Sequence, residues 1–131
     1  MREHVIDSSQ PYHPEKLEKK GYVGAAAYFE LDLRSGVILR VEEFPEMRKP
    51  SYKIEVDFGP VIGKLWSSAQ ITNYAFEDLI GRIVVGALNL GDKTLPTGFV
   101  SQFLVLGALD PDGTVRLLEL PEEVMPGSMV A

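Results

Sequence analysis

The spacing of apolar and polar positions changes along the chain, and the changes mark an all-β body behind a polar arm. Residues 1–27 hold no sustained period. Pro11 and Pro14 interrupt early structure, and Glu15 to Lys20 is a charged run long enough for one or two helical turns. Gly24-Ala25-Ala26-Ala27 leads into the body, residues 28–131. From Phe29 the period becomes two. Leu31, Leu33, Val37, Leu39 and Val41 alternate with Asp32, Arg34, Ile38, Arg40 and Glu42, the pattern of a long half-buried strand. Gly36 within it marks a bulge or bend. A loop from Phe44-Pro45 to Lys49-Pro50 follows. Tyr52, Ile54, Val56 and Phe58 then share one face of a second strand, and Ser51, Lys53, Glu55 and Asp57 share the other.

Gly59-Pro60 predicts a turn and Lys64–Ile71 a third strand. Thr72–Ile80 predicts a short helix, capped by Thr72 or Asn73, with Glu77 and Asp78 in its first turn and Gly81 at its end. Arg82–Leu90 is β-rich, Leu90–Gly98 is a loop, and Phe99–Leu109 is a fifth strand. In that strand Phe103, Val105 and Leu109 face opposite to Leu104, Leu106 and Ala108, yet all are apolar. Such a strand needs cover on both sides, from a second layer or a second subunit. Asp110-Pro111-Asp112-Gly113 is a turn, Val115–Leu120 a last strand, and Pro121, Pro126 and Gly127 fit an irregular tail. Three strands, a short helix, two strands and an extra strand is the order of a five-stranded OB-fold barrel. The N- and C-terminal extensions are expected to serve dimerisation.

Composition narrows the chemistry. A chain of 131 residues suits one domain with one core. The lack of Cys excludes disulfides and thiolate metal sites and suits a cytoplasmic location. Residues 1–20 are too charged for a signal peptide, and no stretch approaches the roughly 20 apolar residues of a membrane span, so membrane insertion is not expected. The formal net charge of −6 argues against a nucleic-acid partner. Its distribution weakens that argument: residues 110–131 hold five acidic side chains and one basic, whereas 64–109 hold three of each. His4 and His13 both lie in the arm, away from rigid elements, so no metal site is expected. Glu42-Glu43 and Glu122-Glu123 are neighbours, which a strand points to opposite faces. With no nucleophile elbow, phosphate-cradling loop or HExxH motif, the chain reads as a non-enzyme without a cofactor.

Three places suggest binding. Ser67-Ser68-Ala69-Gln70 puts small hydroxyls where a strand usually carries bulky residues. They leave room for a ligand or allow a close strand or subunit contact, and the pattern leaves both open. Asn89 is unusual in a strand and either reads a ligand or caps the next loop. Ser101 opens an apolar strand, where a structural hydrogen bond is the default. Phe44-Pro45 and Lys49-Pro50 bound a loop that carries the cations Arg48 and Lys49.

Several segments in order carry a family likeness. Phe44-Pro45-Glu46-Met47-Arg48-Lys49-Pro50-Ser51-Tyr52-Lys53 with Asp57-Phe58-Gly59, then Ser67-Ser68-Ala69-Gln70-Ile71-Thr72-Asn73-Tyr74 with Asp78-Leu79-Ile80-Gly81-Arg82, then Asn89, Gly98-Phe99-Val100-Ser101 and Leu104-Val105-Leu106-Gly107 resemble the signature of CsaA-like tRNA-binding domains. The resemblance covers residues 29–131. It implies an OB fold, a homodimer and structure-dependent binding of tRNA, with Arg48, Lys49, Lys53, Ser67, Ser68, Gln70, Asn89, Lys93 and Ser101 as RNA contacts. CsaA-like members are also described as chaperones of unfolded or pre-secretory proteins. On that alternative Phe44, Trp66 and Phe99 line a pocket for apolar peptide segments, while Tyr52 belongs to the core.

Overall fold

The computed structural model describes residues 12–112 and 114–131. The expectation for His4 lies outside them. Alternation builds the sheet. Strand β1 (Leu33–Glu43) pairs antiparallel with β2 (Tyr52–Asp57), and β2 pairs with β3 (Lys64–Ala69). On its other side β1 pairs with β4 (Ile83–Ala87), entered after the single helical turn Phe76–Leu79. The chain then forms β5 (Lys93–Thr94), β6 (Val100–Ser101), β7 (Leu104–Val105), β8 (Gly107–Leu109), β9 (Val115–Leu117) and β10 (Glu119–Leu120). Both β7 and β10 pair with β4. The remaining gap, between β3 and the β6–β7 segment, is crossed at Gln102. Its N–H donates to the Trp66 carbonyl (2.8 Å), and its side-chain Oε1 accepts from the Trp66 N–H (3.0 Å). A carboxamide thus stands in for a missing ladder bond. The result is a nearly closed antiparallel barrel of five strands, of OB type.

Phe58 fills the centre with its edge against Phe103 (centroids 4.9 Å apart). It is fully buried with Ile38, Ile54, Val56, Ile71, Leu79 and Val84. Two glycines make room for it. A Cβ on Gly86 would stand 2.6 Å from Phe58 Cζ, and one on Gly36 would stand 2.5 Å from Val56 Cγ1 and 2.7 Å from the Phe58 ring. Tyr12 of the arm packs on the same core.

β2 keeps its expected inward face of Tyr52, Ile54 and Val56. β1 departs from strict alternation. Gly36 is a close-approach site rather than the bulge. The register with β2 shifts instead between Ile38 and Arg40, which turns Ile38 into the core, although alternation put it with the charged residues. The strand also begins later than expected. Gly24, at φ +83°, starts a short helix over Ala25–Phe29, because three successive alanines favour helix. Phe29 and Leu31 therefore lie outside β1 and are exposed, and the 27/28 boundary falls inside this helix. Between Thr72 and Ile80 only Phe76–Leu79 is helical; Ala75 is its N-cap, and Asn73 instead donates from Nδ2 to the Val115 carbonyl (3.2 Å).

The fifth strand is broken into β6, β7 and β8, each with a different partner: β5, β4 and β9. Its two apolar faces are both used. Phe103 and Val105 enter the main core, while Leu104 and Leu106 pack outside it against Leu33, Val85, Ala87, Leu90, Leu120 and Val130. The second layer is thus supplied in part by the chain's own tail, which is strapped to β1. Ser35, fully buried, donates from Oγ to the Met125 carbonyl (2.8 Å) and exchanges main-chain bonds with Gly127 and Ser128.

Candidate nucleic-acid interface

The β1–β2 loop folds back on a turn in which the Met47 N–H donates to the Phe44 carbonyl (3.2 Å). Phe44 is held inward, 3% exposed, with its ring edge-on to Phe99 (5.3 Å). Lys53 leaves the polar face of β2 and sets its ammonium over both rings, 4.7 Å from the Phe44 centroid and 5.4 Å from that of Phe99. Arg48 is exposed and lines a hollow of about 320 Å³ with Glu43, Phe44, Met47, Ser51 and Thr72. Lys49 follows it, and its carbonyl accepts from Ser51 Oγ (3.0 Å).

The serines form the other side of the patch. Ser68 lies directly across from Lys53 in the β2–β3 register. Ser67 points the opposite way and is 1% exposed. Its Oγ lies 2.7 Å from the Phe103 carbonyl and 3.0 Å from Ser101 Oγ. A hydroxyl has one proton. With Ser67 donating to Phe103, Ser101 must donate to Ser67. Small residues here draw β3 against the β6–β7 segment, the close-contact alternative. Lys93 pairs with Ser101 across the β5–β6 hairpin and is exposed.

Contact and register therefore connect Phe44, Lys53, Phe99, Ser68, Ser67, Ser101 and Lys93, with Arg48 and Lys49 beside them. Gln70 stands at the margin, in a groove of about 260 Å³ that Ser68 also lines with Ala69, Ile71, Leu104, Leu106 and Leu109. Asn89 is not part of the patch. Its Oδ1 accepts from the Asp32 N–H (2.8 Å) and its Nδ2 donates to the Glu30 carbonyl (2.7 Å). Both halves of the carboxamide hold the chain entering β1. Trp66 is half-buried on the outer face of β3, under the Arg40 guanidinium (5.4 Å). Of the aromatic trio, Phe44 offers a peptide almost no surface, and Phe99 and Trp66 are half-buried.

The cations are interleaved with acids. Glu42 lies opposite Lys53 on β1, Glu43 lines the Arg48 hollow, and Asp92 precedes Lys93. Gln102 and Arg40 were not singled out by sequence, since the barrel seam and the shifted β1 register give them their roles. Among the described residues no group of His, Asp or Glu is arranged to hold a metal ion, and no helix is long and apolar enough to cross a membrane.

No protein-family model matches the chain. Solved structures do. The CsaA chaperone protein of Picrophilus torridus is 39% identical, superposes with a TM-score of 0.78, and the match covers 84% of this chain and 100% of that one. The chain belongs to the CsaA-like family of tRNA-binding domains. A second structure of this CsaA-like kind, the chaperone CsaA of Bacillus anthracis, is 39% identical with a TM-score of 0.79 over 85% of this chain and 100% of its own. The MetRS-related protein of Pyrococcus horikoshii is 26% identical, with a TM-score of 0.75, over 86% of this chain and all of its own. Among curated relatives, the methionine–tRNA ligase of Phocaeicola vulgatus is 32% identical over 111 residues, 85% of this chain and 16% of the ligase. That of Methanocaldococcus jannaschii is 31% identical over 124 residues, 91% and 19%. The chain thus spans less than a fifth of the curated relatives it matches.

Proposed function

We propose that the chain is a non-catalytic tRNA-binding module of the cytoplasm that acts as a homodimer and recognises tRNA by its shape. The observation that carries this is the Lys53 ammonium held over the paired Phe44 and Phe99 rings, with Arg48, Lys49 and Lys93 on the neighbouring loop and hairpin. It is a cationic rim on a barrel of net charge −6, in a family whose ligase relatives handle tRNA. Phosphates would meet Arg48, Lys49, Lys53 and Lys93. Ser68 and Gln70 would meet sugar or base edges, and Ser67, Ser101 and Asn89 would act by shaping the surface. Glu42, Glu43 and Asp92 weaken each half-site, and a dimer would join two weak half-sites into one usable surface. Exposed Tyr22, Phe29, Met125 and Met129, on the two extensions, are apolar surface suited to that contact.

One observation favours a second reading, chaperone binding of an apolar segment. It is the groove lined by Ala69, Ile71, Leu104, Leu106, Leu109 and Val115, in a chain whose similar structures bear the name chaperone. Retention of tRNA on filters in competition with an unstructured RNA of equal length and with a reduced, unfolded protein separates the readings. The tRNA reading requires displacement by neither at equal mass, with light scattering giving twice the chain mass at tens of micromolar. Displacement by the unfolded protein alone would favour the groove.

A further inference from the structure

The tRNA reading leaves the centre of the outer barrel face unassigned. We propose that Trp66 and Arg40 form a stacking platform there for an unpaired nucleotide base, an inference that rests on the tRNA reading. Three observations carry it. The registers pair Arg40 with Glu55 and Glu55 with Trp66, so the three lie in one row across β1, β2 and β3 on the face that OB barrels turn to oligonucleotides. Arg40 reaches over Glu55 to put its guanidinium 5.4 Å from the indole centroid. Neither Trp66 nor Arg40 belongs to an apolar core cluster, so packing does not account for an indole at this position.

The platform is held ready. The Trp66 backbone is fixed on one side by β2 and on the other by both groups of Gln102, and the Arg40 guanidinium already lies over its indole, so a base meeting the pair costs little backbone ordering. The Arg40 side chain is 62% exposed, and its salt bridge to Glu42 (3.0 Å) is a surface pair that a phosphate can replace. A base stacked on the outer face of the guanidinium would extend the indole–guanidinium stack by a third layer. Every base has a flat face, so the platform needs an unstacked nucleotide rather than a particular sequence.

Trp66 is the sole tryptophan of the chain, so its emission reports this site alone. The full chain is titrated with bulk tRNA while filter retention, tryptophan emission and acrylamide quenching are followed together. The expected result is an emission change in step with retention and reduced access of acrylamide. An oligoadenylate of about eight nucleotides should reproduce it, and a blunt RNA duplex should not. Trp66→Leu should bind tRNA roughly tenfold more weakly with an unchanged salt slope, since a neutral side chain releases no counterion. Trp66→Phe should recover part of the loss. Retention of tRNA with emission and quenching unmoved overturns the platform and leaves the tRNA reading intact; so does a folded Trp66→Leu that binds like the native chain. If tRNA is not retained at any salt, the tRNA reading fails. In that case an oligoadenylate that moves the emission keeps the platform, and one that does not removes it.

Discussion

Replacing Ser67 by Ala tests whether the serine stretch closes the barrel or meets a ligand. The hydroxyl is buried and bridges the Phe103 carbonyl (2.7 Å) and Ser101 Oγ (3.0 Å). Its removal leaves a buried carbonyl without that donor, at about 1–3 kcal/mol. The void is no larger than one oxygen and adds little. Taking about 2 kcal/mol and an unfolding entropy of about 2.1 cal/mol/K per residue over the chain, the melting temperature should fall by about 7 °C. Urea melts should give the same loss with an unchanged m-value. Affinity for tRNA, measured well below the melt, should stay within about twofold, because the hydroxyl faces inward. A variant that melts within about 1 °C of the native chain would refute the reasoning. So would one of native stability that binds tRNA tenfold more weakly, since the hydroxyl would then be a ligand group.

The double variant Arg48→Ala/Lys49→Ala should flatten the plot of log affinity against log salt by up to about two units per protomer; filter binding at several salt concentrations reads it, and an unchanged slope removes the loop from the phosphate contacts. Gly86→Ala would drive a Cβ to 2.6 Å from Phe58 Cζ. It should destabilise the fold by about 1–3 kcal/mol in urea melts, unless Phe58 is cut to Leu in the same chain, which should recover part of the loss. Tyr52 donates its hydroxyl to the Tyr74 carbonyl (2.9 Å). Burial, then Glu43 and Glu77, raise its pKa above the ordinary 10.0. The folded state therefore keeps this proton when the unfolded chain has lost it. The stability it contributes is full below pH 10.0 and lost as pH rises through the folded value. Alkaline titration followed by circular dichroism should show that loss, and Tyr52→Phe should reduce it.

The sequence made much of the barrel legible, because β2 obeys period two without interruption and turn residues separate the later strands. The phase of β1 was not legible. Ile38 sits beside charged residues in the pattern, and only pairing with β2 reveals the shift that buries it. That same shift aligns Arg40 with Glu55 and hence with Trp66, so the platform row was hidden with it. The breaking of Phe99–Leu109 into short strands depends on three separate partners, and a one-dimensional pattern names none of them. In the candidate interface, Lys53 is recognisable as a cation on a polar strand face, but its seat over Phe44 and Phe99 requires the loop and the hairpin to meet. Asn89 is unusual in a strand, which points to a ligand reader or a cap of the following loop, and its side chain instead bonds the chain that enters β1. It holds Glu30 and Asp32 there through contacts nearly sixty residues distant in sequence.

The central claim, tRNA bound through phosphate contacts of an acidic protein, is tested most directly by filter binding of bulk tRNA to the native chain at about 50 and 200 mM salt. Four cations per protomer, Arg48, Lys49, Lys53 and Lys93, predict retention at the lower concentration and a loss of roughly 50- to 150-fold in affinity at the higher, and more if both protomers engage one tRNA. No retention at the lower concentration, or an affinity that holds across the two, would contradict the account.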